Sequence, residues 1–281
     1  MVSGLQKIKD GRAGRMGVAE LEVQPSVKTV EKSLRLLELL LTAEQDLTIG
    51  QLVARTGLHR ASVHRLLTTL HALGWVERPA SRPIYRISLR LYALVHVFVR
   101  KYGLLDRLQP LLTELGERSR ETVHLGILDG WEVLHLARVE SLERVGVASR
   151  IGSRGWVHTS GMGKALLAGQ ADAFLAAYMS ETGLPAMTER SITTPTAFQA
   201  EIALIRRQGF SIDNEEDAIG VRCLGTALPT MQGPPVLAIS ITGPSPRFTL
   251  EHAYAFAPTL IDLVQHAEVP LDFAAEVTAA S

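Results

Sequence analysis

Arg60, Ser62, Arg65 and Thr69 lie on a segment whose apolar residues Val63, Leu66, Leu67, Leu70 and Leu73 recur at helical spacing. A helix turns these forked cations and hydroxyls away from the apolar stripe, mostly in its N-terminal half. Donors of this kind at the start of an exposed helix suit the major groove, where arginine forks pair with base edges and hydroxyls with either strand. The same pattern also describes an ordinary solvated face. The surrounding elements have to decide between the two.

Three further stretches invite chemistry. His158-Thr159-Ser160-Gly161-Met162-Gly163-Lys164-Ala165 is glycine-rich around a lysine, yet a phosphate-binding P-loop needs Gly where His158 stands and Ser or Thr where Ala165 stands. A nucleophile elbow needs Gly two residues either side of the serine, and Ser160 has His158 and Met162 there. What remains is a helix entry whose first N–H groups, at Gly161, Met162 and Gly163, can hold a carboxylate or can simply start a helix. Cys223 is the only cysteine. It has no histidine at catalytic spacing, so an inert thiol is the default, and no pair of ligands supports a metal site. The acidic run Asp213-Asn214-Glu215-Glu216-Asp217 reads as a loop at a strand end. No catalytic residue, metal or cofactor is expected.

The elements that must position Arg60 and Arg65 are legible. Val30, Leu34, Leu37, Leu40 and Leu41 give a first amphipathic helix. Thr48 caps a short second helix with Leu52 and Val53 inside, and Gly57 ends it. The helix carrying Arg60 follows and Gly74 closes it. A short helix, a glycine turn and a helix with cations at its start make a helix-turn-helix. Trp75–Arg78 and Ile84–Ile87 then flank Pro79-Ala80-Ser81-Arg82-Pro83, a hairpin whose tip places Arg82 or Arg78 beside the phosphate backbone. Leu91, Leu94, Val95 and Phe98 return to helical spacing, which we read as a linker helix over 89–103.

Beyond it, strands are expected at 122–128, 132–138, 144–150, 209–213, 222–228 and 236–242. Helices are expected at 104–119, 163–167 continuing through 173–179, 196–208 and 250–267. Grouped strands and helices favour an α+β sandwich over a doubly wound fold. The domains read as a disordered tail (1–25), a winged helix-turn-helix (26–88), the linker, an effector domain (104–270) and a C-terminal tail (271–281).

Composition agrees with two folded units. The 281 residues are 46% hydrophobic and carry 29 basic against 29 acidic side chains. Residues 1–90 hold 14 basic and 8 acidic groups (+6), leaving 15 and 21 (−6) for 91–281. A basic module joined to an acidic one suits a polyanion-binding unit attached to a second function. The longest apolar run, Leu91 to Val99, is far short of a membrane span, and no apolar segment follows Lys7, Lys9, Arg12 and Arg15, so a cytoplasmic protein is expected.

Seven stretches in order resemble one family, the bacterial transcription regulators of the isocitrate lyase regulator (IclR) type. They are Leu58–Leu67 with Leu70 and Gly74-Trp75-Val76; Tyr85-Arg86-Ile87; Glu121–Leu125; Gly161–Ala168; Gly209–Asp213; Gly220–Cys223; and Gly243–Arg247. The resemblance implies a winged helix-turn-helix and a GAF-like domain binding a small effector, an organic acid. It implies DNA contacts at Arg60, Ser62 and Arg65. It implies ligand contacts at Gly161, Met162, Asp213, Cys223, Ser240 and Thr242. Trp156 stands where the family usually has proline. Specific readout needs paired half-sites, so the expected partners are a palindromic duplex operator and a second copy of the chain, as a homodimer or a dimer of dimers. The alternative is a metabolite-binding enzyme with an accessory basic domain.

Overall fold

The computed structural model describes residues 27–147, 149–230 and 233–267. The tails expected at 1–25 and 271–281 lie outside them. The described chain divides into two compact units that meet in sequence between Gly103 and Leu104.

The first unit is helical with a small sheet. Helix α1 (Lys28–Thr42) is followed by β1 (Leu47–Thr48), α2 (Ile49–Thr56), α3 (Arg60–Ala72), β2 (Val76–Glu77), β3 (Ile84–Ile87) and α4 (Arg90–Tyr102). The Thr48 side chain accepts from Gln51 N while the Gln51 side chain takes the Thr48 N–H, a reciprocal cap that fixes where α2 begins. Gly57, at φ +67°, ends it in a conformation only glycine reaches without strain. Leu36, Leu52, Val63 and Leu67 are fully enclosed, each contributing about 2 kcal/mol of apolar burial. One expectation changes here, at Leu73. Helix α1 buries Leu36 and Leu40, leaving Val30, Leu34 and Leu41 more than half exposed, and Leu73 falls off the α3 stripe at 56% exposed. Strand β1, too short to show a period, joins β3 to complete a three-stranded wing, Leu47 facing Tyr85.

The second unit is a six-stranded antiparallel sheet in the order β6-β5-β4-β9-β8-β7. Its elements are α5 (Leu104–Ser119), β4 (Thr122–Asp129), β5 (Glu132–Val139), β6 (Arg154–Trp156), α6 (Gly161–Ala168), α7 (Asp172–Thr182), α8 (Pro195–Gln208), β7 (Ser211–Asn214), β8 (Val221–Ala227), β9 (Leu237–Pro244) and α9 (Leu250–Gln265). The α+β class expected from the pattern holds. Strands β4 and β5 join through a tight turn in which Asp129 faces Glu132 and Gly130 has φ +60°.

Strand alternation gives the sheet two different faces. Val123, Leu125, Ile212, Leu224, Ile239 and Ile241 pack against α5 and α9 in one apolar core. A second core gathers Met162, Leu166, Leu175, Tyr178, Phe198 and Ile202 from α6, α7 and α8 on the other side. Two expected elements differ. No strand forms over 144–150 among its described residues; instead Arg154–Trp156 pairs with β5, Trp156 facing Glu132. Val145 is 65% exposed, so β-branched composition found no buried face to pack on. The helix expected from 163 through 179 is two helices, divided at Gly169, whose added Cβ would lie 2.2 Å from Pro235 Cγ.

Candidate nucleic-acid interface and effector site

Helix α3 presents Arg60, Arg65 and Thr69 to solvent, while Ser62 is half-buried. The Thr69 hydroxyl donates back to Arg65 O at 3.1 Å, so in this conformation it serves its own helix. Arg82 is exposed between the wing strands. Arg60, His64, Arg78, Pro83 and Tyr85 line an open concavity of about 650 Å³ between α3 and the wing, with Arg78 5.8 Å over the Tyr85 ring. Sequence spacing did not single out His64 or choose Arg78, because only folding brings the wing beside α3.

Not every cation of this unit is available. Arg86 pairs with Glu77 at 2.9 Å and holds that carboxyl below the usual carboxylate range. Arg90 donates to Leu73 O at 2.6 Å and lies over Trp75, tying the start of α4 to the end of α3. His71 is bonded through Nδ1 to Val76 O at 2.8 Å. Among the described residues no acid pairs with Arg55, Arg60, Arg65 or Arg82.

In the second unit the six residues named above come together on the sheet face beneath α6. Register places Asp213 opposite Cys223, Cys223 opposite Thr242, and Ser240 opposite both Gly225 and His124. Directly paired residues share a face, so two neighbouring rows, Asp213–Cys223–Thr242 and Gly225–Ser240–His124, lie side by side on it. Glycines allow the approach of α6. A Cβ on Gly225 would lie 2.5 Å from Gly161 O, and one on Gly161 would lie 3.1 Å from Cys223 Cβ. Ser160 Oγ accepts from Gly163 N, which leaves the N–H groups of Gly161 and Met162 as first-turn donors over this face.

Hydrogen bonding orders the cluster. Thr242 Oγ1 donates to Cys223 Sγ at 3.3 Å and also lies 3.3 Å from His124 Nδ1; the other His124 nitrogen is 2.5 Å from Ser149 Oγ. With the Thr242 proton on sulfur, His124 carries its own proton on Nδ1 and accepts from Ser149 through Nε2. Burial, then the nearby His135 and Arg138 charges, lower the His124 pKa to about 3, so it stays neutral. Burial and Asp213 push the Cys223 thiol well up, the reverse of what a nucleophile requires. His124 was invisible to spacing because 99 residues separate it from Cys223.

Asp213 has one oxygen accepting from Glu216 N at 2.7 Å, while its Oδ2 is buried without a partner among the described residues. Burial moves its pKa up to about 7, against the hydrogen bond from Glu216 N, while the Glu216 charge adds to the rise. Lys164 of the glycine-rich stretch is fully buried, and its Nζ bonds Glu216 at 2.5 Å, Glu201 at 3.1 Å and Ile212 O at 2.5 Å. Burial pulls the ammonium pKa down, but Glu216 and Glu201 together prevail and raise it. This lysine is a buried tie between α6, α8 and the end of β7. Trp156 is half-buried with its ring 5.8 Å from that of His158, itself held by Tyr178 OH.

Comparison with known proteins agrees with both halves. The profile of the IclR helix-turn-helix domain matches residues 29–80, and that of the bacterial transcriptional regulator IclR C-terminal matches residues 96–268. The chain belongs to the IclR family. It is 31% identical to the HTH-type transcriptional regulator BhcR of Paracoccus denitrificans, covering 90% of this chain and 89% of that one. Identity to the transcriptional repressor IclR of Escherichia coli is 29%, over 89% of this chain and 92% of that one. The crystal structure of the Thermotoga maritima IclR superposes with a TM-score of 0.70 at 25% identity, covering 85% of this chain and 96% of that one. As an IclR-family member the chain is a metabolite-responsive, DNA-binding transcriptional regulator. No helix of the described residues is long and apolar enough to cross a membrane.

Proposed function

We propose that this IclR-family regulator reads a palindromic operator with Arg60, Ser62 and Arg65, and that Arg82 binds phosphate. Thr69 contributes only if its hydroxyl leaves Arg65 O. In this reading the regulator is a cytoplasmic protein without catalysis or cofactor. Its effector is an organic acid whose carboxylate sits on the Gly161 and Met162 N–H groups, with Ser240 and Thr242 hydroxyls beside it and Cys223 lining the site. The observation that carries the reading is the convergence of four separate sequence stretches on one polar patch under the start of α6. With its pKa raised to about 7, Asp213 is about half protonated at neutrality, and in its protonated form it donates to the bound acid instead of repelling it. The enzyme alternative is disfavoured by the desolvated, unactivated thiol.

Asp213→Ala combined with Ser240→Ala is expected to abolish the metabolite response while ligand-free operator binding stays near wild type. A titrated mobility shift on the upstream region of the regulator's own gene, with a panel of carboxylic acids, reads both quantities. A normal response by the double variant places the pocket elsewhere. Coupling between ligand and DNA affinity is expected at about 1–3 kcal/mol, the usual range.

Assembly is part of the proposal. Val30, Leu34 and Leu41 on α1 and Leu94, Val95 and Phe98 on α4 are each at least 40% exposed, an apolar surface that a second copy would cover. A dimer, or a dimer of dimers, at micromolar concentration is the expected result by light scattering. A strict monomer with full operator affinity would contradict it.

A further inference from the structure

The polar face of the large sheet does not stop at Ser240 and Thr242. It continues on β4 and β5 as His124, His135 and Arg138, joined by the pairings His124 with Arg138 and Gly126 with His135. The two imidazoles meet edge to face at 5.2 Å. Arg138 sends Nη1 to Ser149 O at 2.5 Å and Nη2 to Glu140 Oε2 at 2.7 Å. Its Nε is buried with no partner among the described residues, and so is His135 Nδ1.

Buried donors left unpaired are costly, and two in one place call for an acceptor. A hydroxyl answers one of them. A carboxylate answers both, since it offers two oxygens and a charge opposite to the guanidinium. The acids nearby are engaged: Glu140 lies at the surface on Nη2, and Asp217 is held by Thr159 Oγ1 at 2.8 Å. Burial holds the His135 pKa below the ordinary histidine value, with Asp217 opposing it, so the neutral ring presents Nδ1 as a donor in one of its two tautomers.

We propose that His135 and Arg138 form a second anion subsite, and that the effector is a dicarboxylate whose first carboxylate rests on the α6 N–H groups. This inference rests on the effector site proposed above. The sheet sets the distance between the two ends. The start of α6 lies on β8, and His135 and Arg138 stand on β5, three strands away, about 14 Å at the usual strand spacing. A hydrogen bond of about 3 Å and side-chain reach at each end leave roughly 6–8 Å between the two carboxylates. One aromatic ring or a short methylene chain between two carboxylates fits that span.

The test is calorimetric titration of the full chain with two matched pairs of acids: benzene-1,4-dicarboxylate against benzoate, and hexanedioate against hexanoate. In at least one pair the dicarboxylate is expected to bind about tenfold tighter or more, the gain of an added charge-assisted contact. His135→Phe and Arg138→Gln are each expected to bring that ratio toward one. Two variants are used because Arg138 also holds the Ser149 segment. If no dicarboxylate outbinds its partner, or if none of the four binds, the subsite is overturned; a ratio that survives both variants overturns it equally. Ser240→Ala with Thr242→Val separates this failure from that of the underlying reading. Monocarboxylate binding that weakens in that variant, with no gain from a second acid group, sinks the second subsite alone. Binding of all the acids that ignores the variant sinks the effector site itself.

Discussion

Alanine at both Arg60 and Arg65 is expected to lower operator affinity by about 2–6 kcal/mol and to relax sequence preference, because each arginine that pairs with base edges is worth about 1–3 kcal/mol. Both side chains are exposed at the start of α3, and no described acid competes for them. Arg82→Ala serves as the contrast. At the wing tip it is expected to weaken specific and random duplexes alike and to reduce the salt dependence by about one phosphate contact. Fluorescence anisotropy on the upstream fragment and on a scrambled duplex of equal length, at two salt concentrations, separates the two behaviours. Unchanged affinity and preference in the double variant would remove α3 from the role of reader.

Asp213→Asn is expected to stabilise the effector unit by up to about 4 kcal/mol at pH 8 and to change little near pH 4. The folded state moves the carboxyl from an ordinary 3.8 up to about 7 by burying it. A raised carboxyl pKa means that the folded chain binds the proton more tightly than the unfolded one. Stability from this group is therefore fully present below about pH 4, is lost progressively as pH rises to 7, and stays low above it. Asparagine keeps the oxygen that accepts from Glu216 N and Asp217 N but never ionises. Urea unfolding at pH 4.5 and pH 8, followed by Trp131 and Trp156 in a Trp75→Phe background, measures the difference. An equal effect at both pH values would show Asp213 ionised in the folded protein. A carboxyl that the fold holds at such expense is what a ligand-facing donor looks like, since binding sites are where stability is given up for function.

The helix-turn-helix was readable because its signals are local. The reciprocal cap at Thr48 and Gln51, the positive φ of Gly57 and the stripe from Val63 to Leu70 each depend on neighbours within a turn or two. The failures are as instructive. Leu73 is apolar at the spacing of the α3 stripe and yet 56% exposed, because period marks a face without saying what covers it. The stretch 144–150 has strand composition, but the edge of the sheet beside β5 is taken by Arg154–Trp156.

By itself the sequence determined the α+β class, the order of the two units, the helix α3 with its exposed arginines, and through seven short stretches the family. These follow from patterns a few residues long. Why those stretches occur together was decided only by the tertiary structure. Gly225 and Gly161 are small so that α6 can lie on β8, and Gly243 leaves room for Glu121, which Arg247 grips at 2.6 and 2.7 Å from 126 residues away. Lys164, which looks like a phosphate ligand in the sequence, is a buried counter-ion for Glu216. His124 and Cys223 share a threonine only because β4 and β8 flank β9. Strand register is set by the packing of whole faces against the helices, and no local window contains it.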